Sequence, residues 1–517
     1  MSSGIAGQVA QQIEHFLSQA PHAVAIEDGA VIFDFTTARY SVSPEREKCV
    51  LQIWSEERNI VRRVVGSELK NDVLKLSVLR FGQNKPSKLE ICRDADRRTP
   101  SAKKAMRASY QRTLERVLDR NFPGWRIEKL TSSTDLERSF GPITVRGLQK
   151  HGQSYFAVIG VNVHEMQASV DAALTTGILW MNHLRERLVL KGYVEGLRLI
   201  VPAERSAVVR MRMAHLNRTA AKWQLFELDE RTEALQEIDS TDTGNVATRL
   251  VRCPDESFAR ERFAESIAKV TSLVPQADAA VLSAGEIAFR LHGLEFARAR
   301  VAALPGSFKP GEQIIFGTGA AEITLGEATE EMFRDFVSRI NASREGDNGR
   351  TDRLYRACPE RWLESIVMRD VTALDERLDG SFVYSQVPAF AASDRAMIDI
   401  LTITRDGRLA VIELKADEDL HLPLQGLDYW ARVRWHHSRG EFQQFGYFPG
   451  RQLSTEPPLL IMAAPSLHVH PTTDTLLRYL SPQIEWKLVG IDERWREAIR
   501  VLFRKTRGVR HEVVTAG

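Results

Sequence analysis

The stretch MIDILTITRDGRLAVIELK, residues 397 to 415, decides how the chain is read. Two runs of aliphatic and β-branched residues flank Arg405-Asp-Gly-Arg408, a turn signal, so the stretch predicts a β-hairpin. Side chains alternate along a strand, which sets Glu413 and Lys415 on one face and turns Leu414 toward the core. Asp399 lies on the partner strand and can approach that same face. Two carboxylates and an ammonium are thus expected together at one sheet edge.

Working outward, PERWLESIVMR (359–369) predicts a helix that carries Glu364. Downstream, LQGLDYWARVRWHH (424–437) predicts another, on which Gln425 and Tyr429 stand at i and i+4 on one face, with Arg432 next on the stripe. A strand (LLIMAAP), a helix (TTDTLLRYL), a strand (EWKLVGI) and a last helix (ERWREAIRVLFRK) follow. Three acidic groups and a lysine are costly in a dry core without compensation. A divalent cation supplies it: Mg²⁺ favours carboxylate and water oxygens and lowers the pKa of a bound water. A neighbouring lysine can orient that water or oppose charge developing on a phosphate.

This order of residues resembles the PD-(D/E)XK nuclease superfamily over roughly residues 354 to 490. The resemblance implies a mixed α/β fold with a restriction-endonuclease-like αβββαβ core. It also implies a Mg²⁺-dependent DNA endonuclease, with Mn²⁺ as a substitute. Asp399 and Glu413 would bind the metal, Lys415 would assist the attacking water, and Glu364 would complete the metal shell. Gln425 and Tyr429 resemble the helix motif of the RecB-like branch and would support the site. The IDIL…VIELK wording is similar to small DNA-repair endonucleases acting on branched or mismatched DNA. One departure stands out: Met397-Ile398, not a proline, precedes Asp399. Asp394 is the second choice for that carboxylate.

Three collinear matches suggest that the module is repeated. Arg112-Thr-Leu-Glu115 resembles Arg361-Trp-Leu-Glu364, Ala157–Asn162 resembles Ala410–Lys415, and Trp223–Glu230 resembles Trp486–Glu493. The separations are similar, with 108 residues from Glu115 to Trp223 and 122 from Glu364 to Trp486. In the first copy Thr144, Gly160 and Asn162 take the places of Asp399, Glu413 and Lys415, so that copy is expected not to hydrolyse. The expected organisation is a β-rich module (1–100), a degenerate nuclease-like module (101–240), a helix with a second β-rich module (241–350) and the nuclease module (351–517). Residues 231 to 255 read as a polar linker or an exposed loop.

Composition frames these expectations. The 517 residues carry 70 Lys and Arg against 68 Asp and Glu, a net charge of +2, with 43% hydrophobic residues. That balance excludes wholesale disorder and a tail-driven nucleic-acid binder. Cys49, Cys92, Cys253 and Cys358 are scattered, which excludes a CxxC zinc site and fits reduced thiols in the cytoplasm. No signal peptide, spanning helix or GxxxxGK[ST] loop is read. Basic stretches at Arg97 to Arg120, Arg432 to Arg439 and Arg494 to Arg510 suit either phosphate contact or a solvated surface. DNA (branched, mismatched or single-stranded) is the expected partner, with a homodimer or an unidentified partner protein also compatible. A non-catalytic nucleic-acid-binding or interaction scaffold, and an RNA-directed nuclease, are the alternatives.

Overall fold

The computed structural model describes residues 5–512 except 21–22, 28–29, 36–37, 46–47, 55–58, 71–72, 80–85, 94–99, 134–143, 189–191, 243–245, 247, 304–309, 318–322, 345–352, 392–394 and 508. Asp28-Gly29, which the sequence marks as a turn, lies outside the described residues with Arg97, Arg98, Asp394 and residues 345–352 of the Gly-, Asn- and Asp-rich stretch 341–352, which the sequence marks as a boundary. The chain is mixed α/β with several sheets and forms two compact units. One comprises Met1–Ala102, Asp255–Leu291 and Glu295–Tyr355. It holds a seven-stranded sheet (strands between Val24 and Cys92) and a five-stranded sheet (strands between Asp278 and Thr324). Helix Ile5–Ser18 buries Ile13, Phe16 and Leu17 into the core of the seven-stranded sheet. No helix among the described residues is long and apolar enough to cross a membrane.

The other unit, Lys103–Pro254, His292–Leu294 and Arg356–Gly517, positions the candidate site. Its first module runs α1 (Pro100–Asn121), β1 (Arg126–Thr131), β2 (Thr144–His151), β3 (Ser154–Val161), α2 (Gln167–Leu188), β4 (Tyr193–Pro202), α3 (Ala207–Ala214), β5 (Lys222–Asp229) and β6 (Ala234–Ile238). Then β7 (Thr248–Leu250) leads to the second module. That module runs α4 (Pro359–Arg369), β8 (Leu378–Ala391), β9 (Arg395–Thr404), β10 (Leu409–Leu414), α5 (Leu422–Ser438), β11 (Leu459–Pro465), α6 (Thr473–Arg478), β12 (Trp486–Ile491), β13 (Val501–Thr506) and β14 (Val509–Glu512).

The sheet orders are β6-β5-β4-β3-β2-β1 and β7-β8-β9-β10-β11-β12-β13-β14. Each module is therefore a helix, an antiparallel three-strand meander, a helix, a parallel strand, a helix, a parallel strand and an antiparallel closing strand. β10 and β11 are buried along their whole length, as near-continuous apolar runs are when both sheet faces are covered. Helix α2 packs against α6, and α3 against α5. A single apolar cluster runs through both modules, from Ile159, Ile178 and Leu199 to Val411, Leu424 and Met462.

Several elements differ from the sequence expectation, helix α3 among them. The segment read as a last helix is a set of turns followed by strand β13, in which Val501 and Phe503 are buried at alternate positions. That period of two is the strand signature. The stretch read as a linker contains β6, whose side chains are all exposed or half-buried, so its polarity hid a strand. Helix Glu330–Arg344, not anticipated, buries Phe333, Val337 and Ile340 at three- and four-residue spacing.

Candidate functional site

The hairpin forms as expected. β9 and β10 pair antiparallel with Ile400 opposite Ile412 and Ile403 opposite Leu409. Gly407 closes the turn at φ +85°, and a Cβ there would meet the Gln452 carbonyl oxygen at 2.4 Å, so the position demands glycine twice over. Continuing the register one step sets Asp399 opposite Glu413. Asp399 Oδ2 accepts a hydrogen bond from the Leu414 amide at 2.9 Å. Lys415 Nζ lies 3.2 Å from Glu413 Oε1 and 3.6 Å from Asp419 Oδ2.

Burial dominates the electrostatics. It pushes the Glu413 carboxyl well above the carboxylate range, the charge of Asp399 adds to this, and Lys415 opposes it. Burial also raises Asp399, against the Leu414 amide and the charges of Lys415 and Arg361. Burial alone would lower Lys415, but Glu413, Asp419 and Asp399 outweigh it and hold the ammonium above its usual range. The pair is thus compressed into a low-dielectric place that disfavours two negative charges.

Helix α5 delivers the next groups. Gly426 lets it sit close on β11, since a Cβ there would already touch Leu460 at 3.2 Å. Burial raises the Tyr429 phenol, and the charges of Glu413 and Asp399 raise it further, which sets it within their field. Gln425 Oε1 is buried and has no hydrogen-bond partner among the described residues, while the Glu413 carboxyl hydrogen-bonds Asp399. A desolvated carboxylate pair with an ammonium beside it is a donor set that suits a divalent cation with its waters. Asp399 and Glu413 are the residues that would hold it.

Glu364 stands differently. Its Oε2 accepts from Gln386 Nε2 at 2.6 Å and from Arg361 Nη1 at 3.4 Å. No group of three or more His, Cys, Asp or Glu side chains suited to a metal occurs among the described residues, so Glu364 is not brought in as a third ligand. Gln386 and Arg361 are site neighbours that sequence reasoning missed. Gln386 interrupts the pairing of β8 with β9 between Ser385–Ile400 and Val387–Ile398, at a left-handed φ of +50°. Nothing in a glutamine flanked by strand residues announces that conformation.

In the first module the corresponding place is filled. Gly160 pairs with Val145, so Val145 rather than Thr144 matches Asp399, a one-residue correction that the β2–β3 register imposes. A Cβ on Gly160 would lie 2.6 Å from Leu114 Cδ2 and 2.8 Å from Tyr110 Oη. Both residues come from α1 and occupy the volume a carboxylate would need. Asn162, at the place of Lys415, accepts from the His164 amide within a turn, and Glu115 is exposed where Glu364 is buried.

The basic stretches are largely engaged. Arg116 and Arg120 pair with Glu233. Trp430 is core, its indole N–H donating to the Pro458 carbonyl, and Arg439 covers Trp435. His436 lies between Thr248 and Glu441. Arg494 pairs with Asp492 and Lys505 with Asp474, Arg504 and Arg507 bind backbone carbonyls, and Arg496 stacks on Trp495.

No family model matches the chain, and no curated protein matches it. Among solved structures, the crystal structure of a repair endonuclease from Pyrococcus abyssi is similar over 37% of this chain and 84% of its own, at 13% identity. Its TM-score of 0.14 is too low to carry an argument.

Proposed function

We propose that residues 351–517 form a restriction-endonuclease-like module that hydrolyses phosphodiester bonds in DNA with Mg²⁺, or Mn²⁺ in its place. The single observation behind this reading is the Asp399–Glu413–Lys415 cluster. It unites a desolvated carboxylate pair and an ammonium at the end of one hairpin. The cation, when bound, neutralises the pair and acidifies a water. Asp399 and Glu413 hold it, and Lys415 orients the attacking water and opposes charge gathering on the phosphate. Gln425 and Tyr429 flank the reacting phosphate. Glu364 acts from behind, by fixing Arg361 and Gln386. In this reading the module at 101–240 is a non-cutting relative, and the β-rich stretches 1–100 and 241–350 accompany the pair.

Branched or mismatched DNA, met in repair or in defence against foreign DNA, is the substrate class proposed. Purified chain with Mg²⁺ or Mn²⁺ should cut plasmid or branched DNA in preference to RNA. Lys415→Ala should lower the rate about 100-fold or more, the usual contribution of a group that handles the proton of a nucleophile. Equal inertness of both proteins over a broad panel would favour a nucleic-acid-binding scaffold instead.

A further inference from the structure

We infer that the two tandem modules form a built-in dimer that places one working and one filled site on opposite strands of a duplex, so that the chain acts alone and nicks one strand. This rests on the nuclease reading above. The pairing is reciprocal, as a two-fold interface requires. Helix α2 of the first module packs on α6 of the second, and α5 of the second packs on α3 of the first, where α2 corresponds to α5 and α3 to α6. At the centre, Leu216 and Leu480 form an antiparallel bridge. Each is the second residue past its helix, α3 or α6. The flanking bonds mirror each other: the Asn217 amide donates to the Tyr479 carbonyl at 2.7 Å, and the Ser481 amide to the His215 carbonyl at 2.9 Å. Equivalent positions thus meet across a local two-fold axis.

A protein two-fold matches the local two-fold symmetry of duplex DNA, with each half addressing one strand. Here the halves are unequal. Asp399, Glu413 and Lys415 face one strand, while Tyr110 and Leu114 fill the other site around Gly160. One water attacks one phosphorus, one P–O bond breaks, and the leaving oxygen takes up a proton. The second strand stays intact. The helices through which such modules pair are already buried against each other, in a core shared by both.

Supercoiled plasmid incubated with the full-length chain and Mn²⁺ tests this, together with sedimentation of the same sample. Open circles should accumulate without linear product, at a rate first-order in a species of one chain mass, 58.4 kDa. Tyr110→Phe, which removes a hydroxyl without a partner among the described residues, should leave that pattern unchanged. Linear DNA formed in parallel with open circles, or cutting confined to a two-chain species, overturns the inference and leaves the nuclease reading standing. If Lys415→Ala and the unaltered chain are equally inert, the nuclease reading falls, and the nick with it. Sedimentation then decides the built-in pairing alone: a one-chain mass supports it and a two-chain mass overturns it.

Discussion

Arg212 of α3 grips Asp428 of α5 through two parallel hydrogen bonds, Nε to Oδ1 at 2.8 Å and Nη2 to Oδ2 at 2.7 Å. The pair is almost wholly buried and joins the first module to the helix that carries Gln425 and Tyr429. A second tie, His421 Nδ1 to Thr175 Oγ1 at 3.1 Å, holds the start of the same helix. The first module therefore supports the site physically, although its own site is filled.

Breaking that ion pair from one side should be severe. Arg212→Ala leaves a buried carboxylate without its guanidinium, which typically costs about 3–5 kcal/mol. Replacing both partners, as Arg212→Met with Asp428→Leu, should recover most of the loss. Urea unfolding at a constant slope measures this. A single variant as stable as the unaltered chain would refute the buried-pair account.

The raised carboxyls make a signed pH prediction for the metal-free chain. Glu413 and Asp399 bind protons more tightly folded than unfolded, so their contribution to stability is fully present below ordinary carboxyl values, about pH 4. It is lost as the pH rises through the raised values. Acidification from neutral should therefore stabilise the unaltered chain relative to Glu413→Gln, in which that slope is reduced. Mg²⁺ affinity should run the other way and grow with pH, because the ligands must be ionised. Parallel denaturation curves of the two proteins across pH would contradict the assignment.

Gly160 is predicted to resist even a methyl group. Gly160→Ala drives a Cβ into Leu114 and Tyr110, and overpacking of this kind costs about 1–3 kcal/mol. Adding Leu114→Ala should relieve part of the clash, since Leu114 makes the closer contact. If the single variant unfolds at the same urea concentration as the unaltered chain, the first module has room that this packing denies.

Local chemistry decides which elements the sequence makes legible. The hairpin at 397–415 is legible because two apolar runs flank a glycine turn, and α5 because Gln425 and Tyr429 stand four residues apart in a run of helix-compatible residues. The tandem order is legible in three short matches, and six strands of each sheet follow the same order, with β7 and β14 added in the second. β13 is not, because Arg and Glu before Val501 mimic a helical surface while only two buried side chains mark the strand. Glu364 lies on the helix that its sequence predicts, but no spacing reveals that Gln386 turns left-handed and binds its carboxylate. The plug around Gly160 depends on residues fifty positions upstream, beyond the reach of any local pattern.

If Asp399 and Glu413 form a cation site, Mn²⁺ titrated calorimetrically into the metal-free chain reports it. One binding event is predicted for the unaltered protein, lost or weakened at least about tenfold in Asp399→Asn and in Glu413→Gln. Identical isotherms for all three proteins, or no binding to the unaltered one, would contradict the account.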